Sequence, residues 1–81
     1  MKKQVLKPGD LVEIVGGKDE AGAPWCGVLA ETRDMRGHEW IDDGTVGVLY
    51  EIGETQEPIE YYVLIDNKHY AFYRNYIKKV K

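Results

Sequence analysis

Serine is missing altogether from this 81-residue chain, cysteine occurs once and histidine twice. These shortages exclude whole classes of chemistry. Without serine there is no serine nucleophile. Cys26 alone permits no intramolecular disulfide, which fits a reducing compartment. It follows Pro24-Trp25 at the start of a weak strand pattern and reads as a buried or half-buried structural thiol. His38 and His69, with no C-x-x-C or H-E-x-x-H spacing, do not make a zinc site, and "HEW" at 38–40 is only a fragment of one. Asp42-Asp43 reads as a solvated turn, since no calcium-loop spacing follows it. "GGKDEAG" lacks both the residue order of a phosphate loop and the helix that must follow it. The expectation is a chain with no catalytic site, no metal and no cofactor.

Long hydrophobic runs are missing too. No apolar stretch of signal-peptide length follows MKKQVLKPGD, and nothing approaches the ~18 residues of a membrane span. The expected location is the cytoplasm, with no membrane partner. No window carries a sustained 3.6-residue apolar stripe, so no long helix is expected. Basic residues are scarce in the middle of the chain. All 14 acidic residues lie between Asp10 and Asp66, an interval whose only basic residues are Lys18, Arg33 and Arg36. Residues 1–9 and 67–81 carry lysine and arginine but no acid. The chain, with a formal charge of −3, has an acidic middle and basic ends.

What is present is a period-2 pattern broken by glycine. "DLVEIV" (10–15) places Val12 and Ile14 on one face. "TVGVLYEI" (45–52) does the same for Val46, Val48, Tyr50 and Ile52, and "IEYYVLID" (59–66) for Tyr61, Val63 and Ile65. "GVLAET" (27–32) is a weaker strand. Pro8-Gly9 suits a type II turn and Asp42-Asp43-Gly44 a tight one. Residues 16–26 and 33–44 read as mobile loops. Five of the six tyrosines and the only phenylalanine crowd into "YYVLIDNKHYAFYRNYIKKV" (61–80). A hairpin with Asn67-Lys68 at its tip sets Ile65 opposite Tyr70 and Val63 opposite Phe72, so most of these rings face a core. Arg74-Asn75-Tyr76 then forms a single helical turn and "IKKV" a final strand. The expected core is Val12, Ile14, Val48, Tyr50, Val63, Ile65, Phe72 and Ile77.

The opening "KPGDLVEIVGG", the central "GTVGVLYEIGE" and the closing "YYVLIDNKHYAFYRNYIKKV" resemble, in order and spacing, an SH3-like barrel. The pattern is similar to small SH3-like domains of bacterial and prophage accessory proteins, and its first strand to the KOW-type barrels of ribosomal and transcription proteins. The resemblance covers most of the chain except 16–26 and 33–44. It implies one all-β domain, a small SH3-like antiparallel barrel of five or six strands with a one-turn helix before the last strand. It also implies a binding module rather than an enzyme, of the accessory or host-modulating kind.

Two tryptophans beside loops exceed what a small core can absorb, so at least one is expected at the surface. Trp25 and Trp40, with Arg33 and Arg36, are the candidate anchors for a protein partner, because Trp and Arg dominate interface energetics. The acidic middle favours a partner with a basic surface. The alternative is a nucleic-acid surface made by Lys68, Arg74, Tyr76, Lys78 and Lys79, which mixes cations with rings as stacking platforms do. Against it stands the acidic net charge. A third reading, a small molecule held between loops, is specified by no motif.

Overall fold

The computed structural model describes residues 5–17, 20–34, 36–55 and 57–80. The alternating stretches form seven strands: β1 (Leu11–Ile14), β2 (Gly27–Thr32), β3 (His38–Asp42), β4 (Val46–Gly53), β5 (Glu60–Ile65), β6 (Lys68–Phe72) and β7 (Ile77–Lys79). A 3-10 turn at Arg74–Tyr76 precedes β7. All pairings are antiparallel, and one sheet runs in the order β3-β2-β6-β5-β4-β1-β7. The fold is all-β, with seven strands rather than five or six. β3 lies within residues 33–44, which the sequence pattern assigns to a loop. Its inward positions are Glu39 and Ile41, so only one apolar side chain marks it as a strand. β3 and β7 are free edges, and hydrogen bonding does not close the sheet into a barrel. No helix among the described residues is long and apolar enough to cross a membrane.

The sheet coils around a single core to which every strand contributes. Val12 and Ile14 come from β1, Val28 and Ala30 from β2, and Ile41 from β3. Leu49 comes from β4, Val63 and Ile65 from β5, Tyr70 and Phe72 from β6, and Ile77 from β7. Val12, Ile14, Val63, Ile65, Phe72 and Ile77 are buried as the alternation implies. Val48 and Tyr50 are not. Val48 stays 37% exposed while its neighbour Leu49 is fully buried.

The reason is a β-bulge. The β4–β5 register shifts between Leu49 and Glu51, so Leu49 opposes Val63 while Glu51 opposes Tyr62 and Ile52 opposes Tyr61. Before the bulge the inward positions are Gly47 and Leu49; after it the inward position is Ile52. Tyr50 is the extra residue and is turned outward. Gly47 is required by close approach: a β-carbon there would stand 2.7 Å from the side chains of Val63 and Ile65.

The β5–β6 turn also differs from expectation. Its central residues are Asp66 and Asn67, with φ of 49° and 64°, and Ile65 pairs with Lys68, Val63 with Tyr70 and Tyr61 with Phe72. Asn67-Lys68 is therefore not the tip. A two-residue turn of this kind needs positive φ at both centres, which Asp and Asn tolerate and Lys does not. The register moved by two residues, so every side chain kept its face. Gly9, at φ +100°, makes the Pro8-Gly9 turn, in which the Asp10 N–H donates to the Lys7 carbonyl at 3.1 Å.

Candidate functional site

The β2–β3 hairpin carries all four candidate anchors and keeps them apart. Trp25 precedes β2, Arg33 and Arg36 lie at the far turn, and Trp40 sits in the middle of β3. Both tryptophans are surface residues, Trp25 44% and Trp40 51% exposed. Cys26 is exposed as well, not a buried thiol.

Arg33 is held in place rather than presented. Its guanidinium lies 4.1 Å from the Tyr62 ring centre and 5.5 Å from that of Tyr50. It donates to the Tyr50 hydroxyl at 3.0 Å and pairs with Glu51 at 2.9 Å. The Tyr50 hydroxyl also lies 2.8 Å from His69 Nδ1. The hydrogen bond to Tyr50, then that to Glu51, pushes the Arg33 pKa up. The bulge in β4 makes this possible, because it turns both Tyr50 and Glu51 to the outer face. Arg33 thus clamps the tip of the hairpin to β4 and β5. Arg36, by contrast, has a largely exposed side chain 3.8 Å from Asp34.

Trp40 is clamped too. Its Nε1 donates to Asp42 Oδ1 at 3.0 Å, and its ring lies over Gly27, where a β-carbon would come within 2.7 Å. Leu29, 61% exposed, sits directly across the strand pair. Trp40 and Leu29 therefore form an apolar pair on the outer face.

Trp25 belongs to a different feature. β2 pairs with β6 only through Glu31–Ala71 and Thr32–Tyr70. Beyond that point the strands part, and a groove of about 310 Å³ opens between them. Core residues Val28, Ala30 and Phe72 form its floor, and Trp25, Leu29, Tyr73 and Tyr76 its apolar walls, with Glu31 and Glu60 among its rim residues. Trp25 is seated by its N–H, which donates to the Gly17 carbonyl at 2.9 Å. A β-carbon at Gly17 would stand 3.1 Å from both the Trp25 and Tyr76 rings, so the two rings flank that glycine.

The groove also exposes backbone. The Asp43 N–H donates to the Cys26 carbonyl and the Thr32 N–H to that of Gly37. By alternation, Val28 and Ala30 spend their backbone groups on β3, while Gly27, Leu29 and Glu31 point theirs toward β6. β6 meets Glu31 alone, so the N–H and C=O of Leu29 face the groove. Of the groove residues, the sequence pattern singles out Trp25 as a protein-binding candidate but neither Leu29 nor Tyr73. The aromatic crowding of residues 61–80 was the available signal, and it was assigned mostly to the core.

The alternative cationic set is dispersed. Lys68 pairs with Glu39 at 3.1 Å at the start of β6. Arg74, beyond the other end of that strand, donates to the Ile77 carbonyl at 2.8 Å. Tyr76 packs against the core. Lys79 lies 3.7 Å from Asp10, and Lys78 projects from β7. A wider hollow of about 560 Å³ over Thr32, Arg33, Asp34, Lys68 and His69 has its Arg33 and Lys68 charges paired. Among the described residues no group of three or more His, Cys, Asp or Glu stands close enough to hold a metal.

A buried-side linkage joins β3 to β6. The Tyr70 hydroxyl donates to Glu39 Oε2 in a short hydrogen bond. Burial, reinforced by that carboxylate, pushes the Tyr70 phenol up to about 12. Glu39 in turn lies below its ordinary value because of Tyr70 first and Lys68 second.

Comparison with protein-family models, with curated proteins and with solved structures finds no match to this chain.

Proposed function

We propose that this chain is a non-enzymatic protein-binding module that holds an extended segment of a larger protein in the groove between β2 and β6. The observation that carries this reading is the combination of an aromatic-walled apolar trough with the N–H and C=O of Leu29 along one side, which have no backbone partner among the described residues. Side-chain pockets beside a free strand edge are how an extended peptide gains affinity from its backbone and specificity from its alternate side chains. Glu31 and Glu60 on the rim, with the acidic middle of the chain, favour a segment bearing basic residues. In the same reading the coiled sheet is an SH3-like barrel carrying β2–β3 as an additional hairpin, and the protein acts as a small accessory factor by binding. The test compares three variants for capture of a protein partner from lysate and for retention on heparin. Trp25→Ala and Tyr73→Ala should lose the partner, and Lys78→Glu with Lys79→Glu should keep it. Loss confined to the lysine variant, together with heparin retention by the native chain, would replace this reading with a nucleic-acid one.

A further inference from the structure

We propose that β3 is a self-pairing edge, through which two copies of the chain associate by antiparallel β3–β3 pairing about a two-fold axis at Trp40. The argument starts from the ladder. The hydrogen-bonded partners across β2 and β3 include Cys26–Asp43 and Thr32–Gly37. By alternation, Glu39 and Ile41 direct their backbone groups to β2, whereas His38, Trp40 and Asp42 direct theirs away from the sheet. Among the described residues the N–H and C=O of His38 and Trp40 and the N–H of Asp42 have no backbone partner. The Asp42 carbonyl accepts from Thr45. β3 runs five residues without proline or bulge, the usual devices that blunt an edge. β7, the other edge, is three residues long and carries Lys78 and Lys79.

The sequence of β3 is complementary to itself in this arrangement. With the axis at Trp40, the two Trp40 residues exchange both backbone hydrogen bonds, and each His38 carbonyl accepts from the N–H of the partner's Asp42. On the outer face each His38 side chain then opposes the partner's Asp42, an opposite-charge pair when the imidazole is protonated. The two tryptophans oppose each other, and both kinds of cross-strand pair stabilise a sheet. The exposed Leu29–Trp40 pair continues through its symmetry mate as one apolar row. The indole does not obstruct the edge, because Asp42 holds it back over Gly27. Glu39, the inward carboxylate of β3, is engaged by Tyr70 and Lys68 and does not confront its own copy unpaired. One strand pair buries little area, so the association is weak and concentration-dependent. The Trp40–Trp40 contact lies outside the β2–β6 groove, although His38 and Leu29 also line that groove, and the test reads self-association with no groove ligand present.

Sedimentation velocity from micromolar to millimolar protein tests the proposal. The native chain should pass from monomer to dimer. Trp40→Pro removes an outward N–H that the β2 ladder does not use, and should weaken association about tenfold or more while circular dichroism remains native. His38→Asp sets a carboxylate opposite the partner's Asp42 and should do the same. His38→Lys sets a fixed cation there and should tighten the dimer. The two His38 variants leave the Asp42 clamp on Trp40 in place and decide the matter if Trp40→Pro disturbs folding. A native chain that stays monomeric throughout overturns the proposal. So does a dimer that responds alike to His38→Asp and His38→Lys.

Discussion

Tyr70 and Glu39 show how single side chains couple stability to pH. The Tyr70 phenol is raised from 10.0 to about 12, so the folded state holds this proton more tightly than the unfolded chain does. That contribution is complete below pH 10 and is lost as pH rises from there through about 12. Absorbance of tyrosinate against pH should show Tyr70 titrating late, alongside Tyr62, which burial and then Glu60 also raise, and Glu39→Gln should bring the Tyr70 step earlier. Glu39 works in the opposite sense. Its depressed value stabilises the fold above the ordinary carboxylate range, and this is lost as pH falls through its folded value. Acid unfolding of Glu39→Gln should therefore depend less on pH than that of the native chain. Position in β4 decides another pair of outcomes. Leu49→Ala should cost about 2–5 kcal/mol by opening a cavity in the core. Val48→Ala, on the outer face, should cost less than about 1 kcal/mol. Chemical denaturation of the two variants reads the bulged register directly, and equal losses would contradict it.

The β2–β3 hairpin is held to the sheet at its tip as well as through Val28, Ala30 and Ile41 in the core. Arg33 stacks on Tyr62, bonds Tyr50 and pairs with Glu51, while β2 itself meets β6 over only two residue pairs. Arg33→Ala should cost about 1 kcal/mol. It should raise amide exchange in β3 well before it affects β5 or β6. Uniform acceleration across the sheet would mean that the hairpin is anchored elsewhere. The same elements explain how far the sequence could be read. β1 and β5 were legible from clear alternation and β2 more weakly, while β6, the 3-10 turn and β7 were read from the aromatic C-terminal stretch. The Tyr61–Val63–Ile65 and Tyr70–Phe72 face survived a wrong turn assignment because a two-residue slip preserves parity. Val48 and Tyr50 were misread because a bulge inverts parity without leaving a mark in residue type. β3 was hidden because Glu39, an inward-facing but half-exposed carboxylate met by Tyr70 and Lys68 from β6, looks like a loop residue in one dimension. Trp25 and Trp40 were legible as surface residues. That they lie on different surfaces was not, since it depends on where β2 leaves β6.

Across the molecule, the open sheet presents an aromatic groove where β2 and β6 part and a free edge at β3. Glu31 and Glu60 line the groove, so added salt should slow association with a basic partner more than it speeds release. Whether the groove receives an extended protein segment is read most directly by selecting binders from a library of displayed unstructured peptides and mapping them by amide chemical-shift changes in the labelled chain. Selected peptides should combine apolar and basic residues, with shifts concentrated at Leu29, Phe72, Tyr73 and Tyr76. Trp25→Ala should lose about 2 kcal/mol or more of that binding. Selected peptides whose shifts fall instead on Lys78, Lys79 and the outer face of β1, with binding unchanged in Trp25→Ala and Tyr73→Ala, would contradict the groove reading.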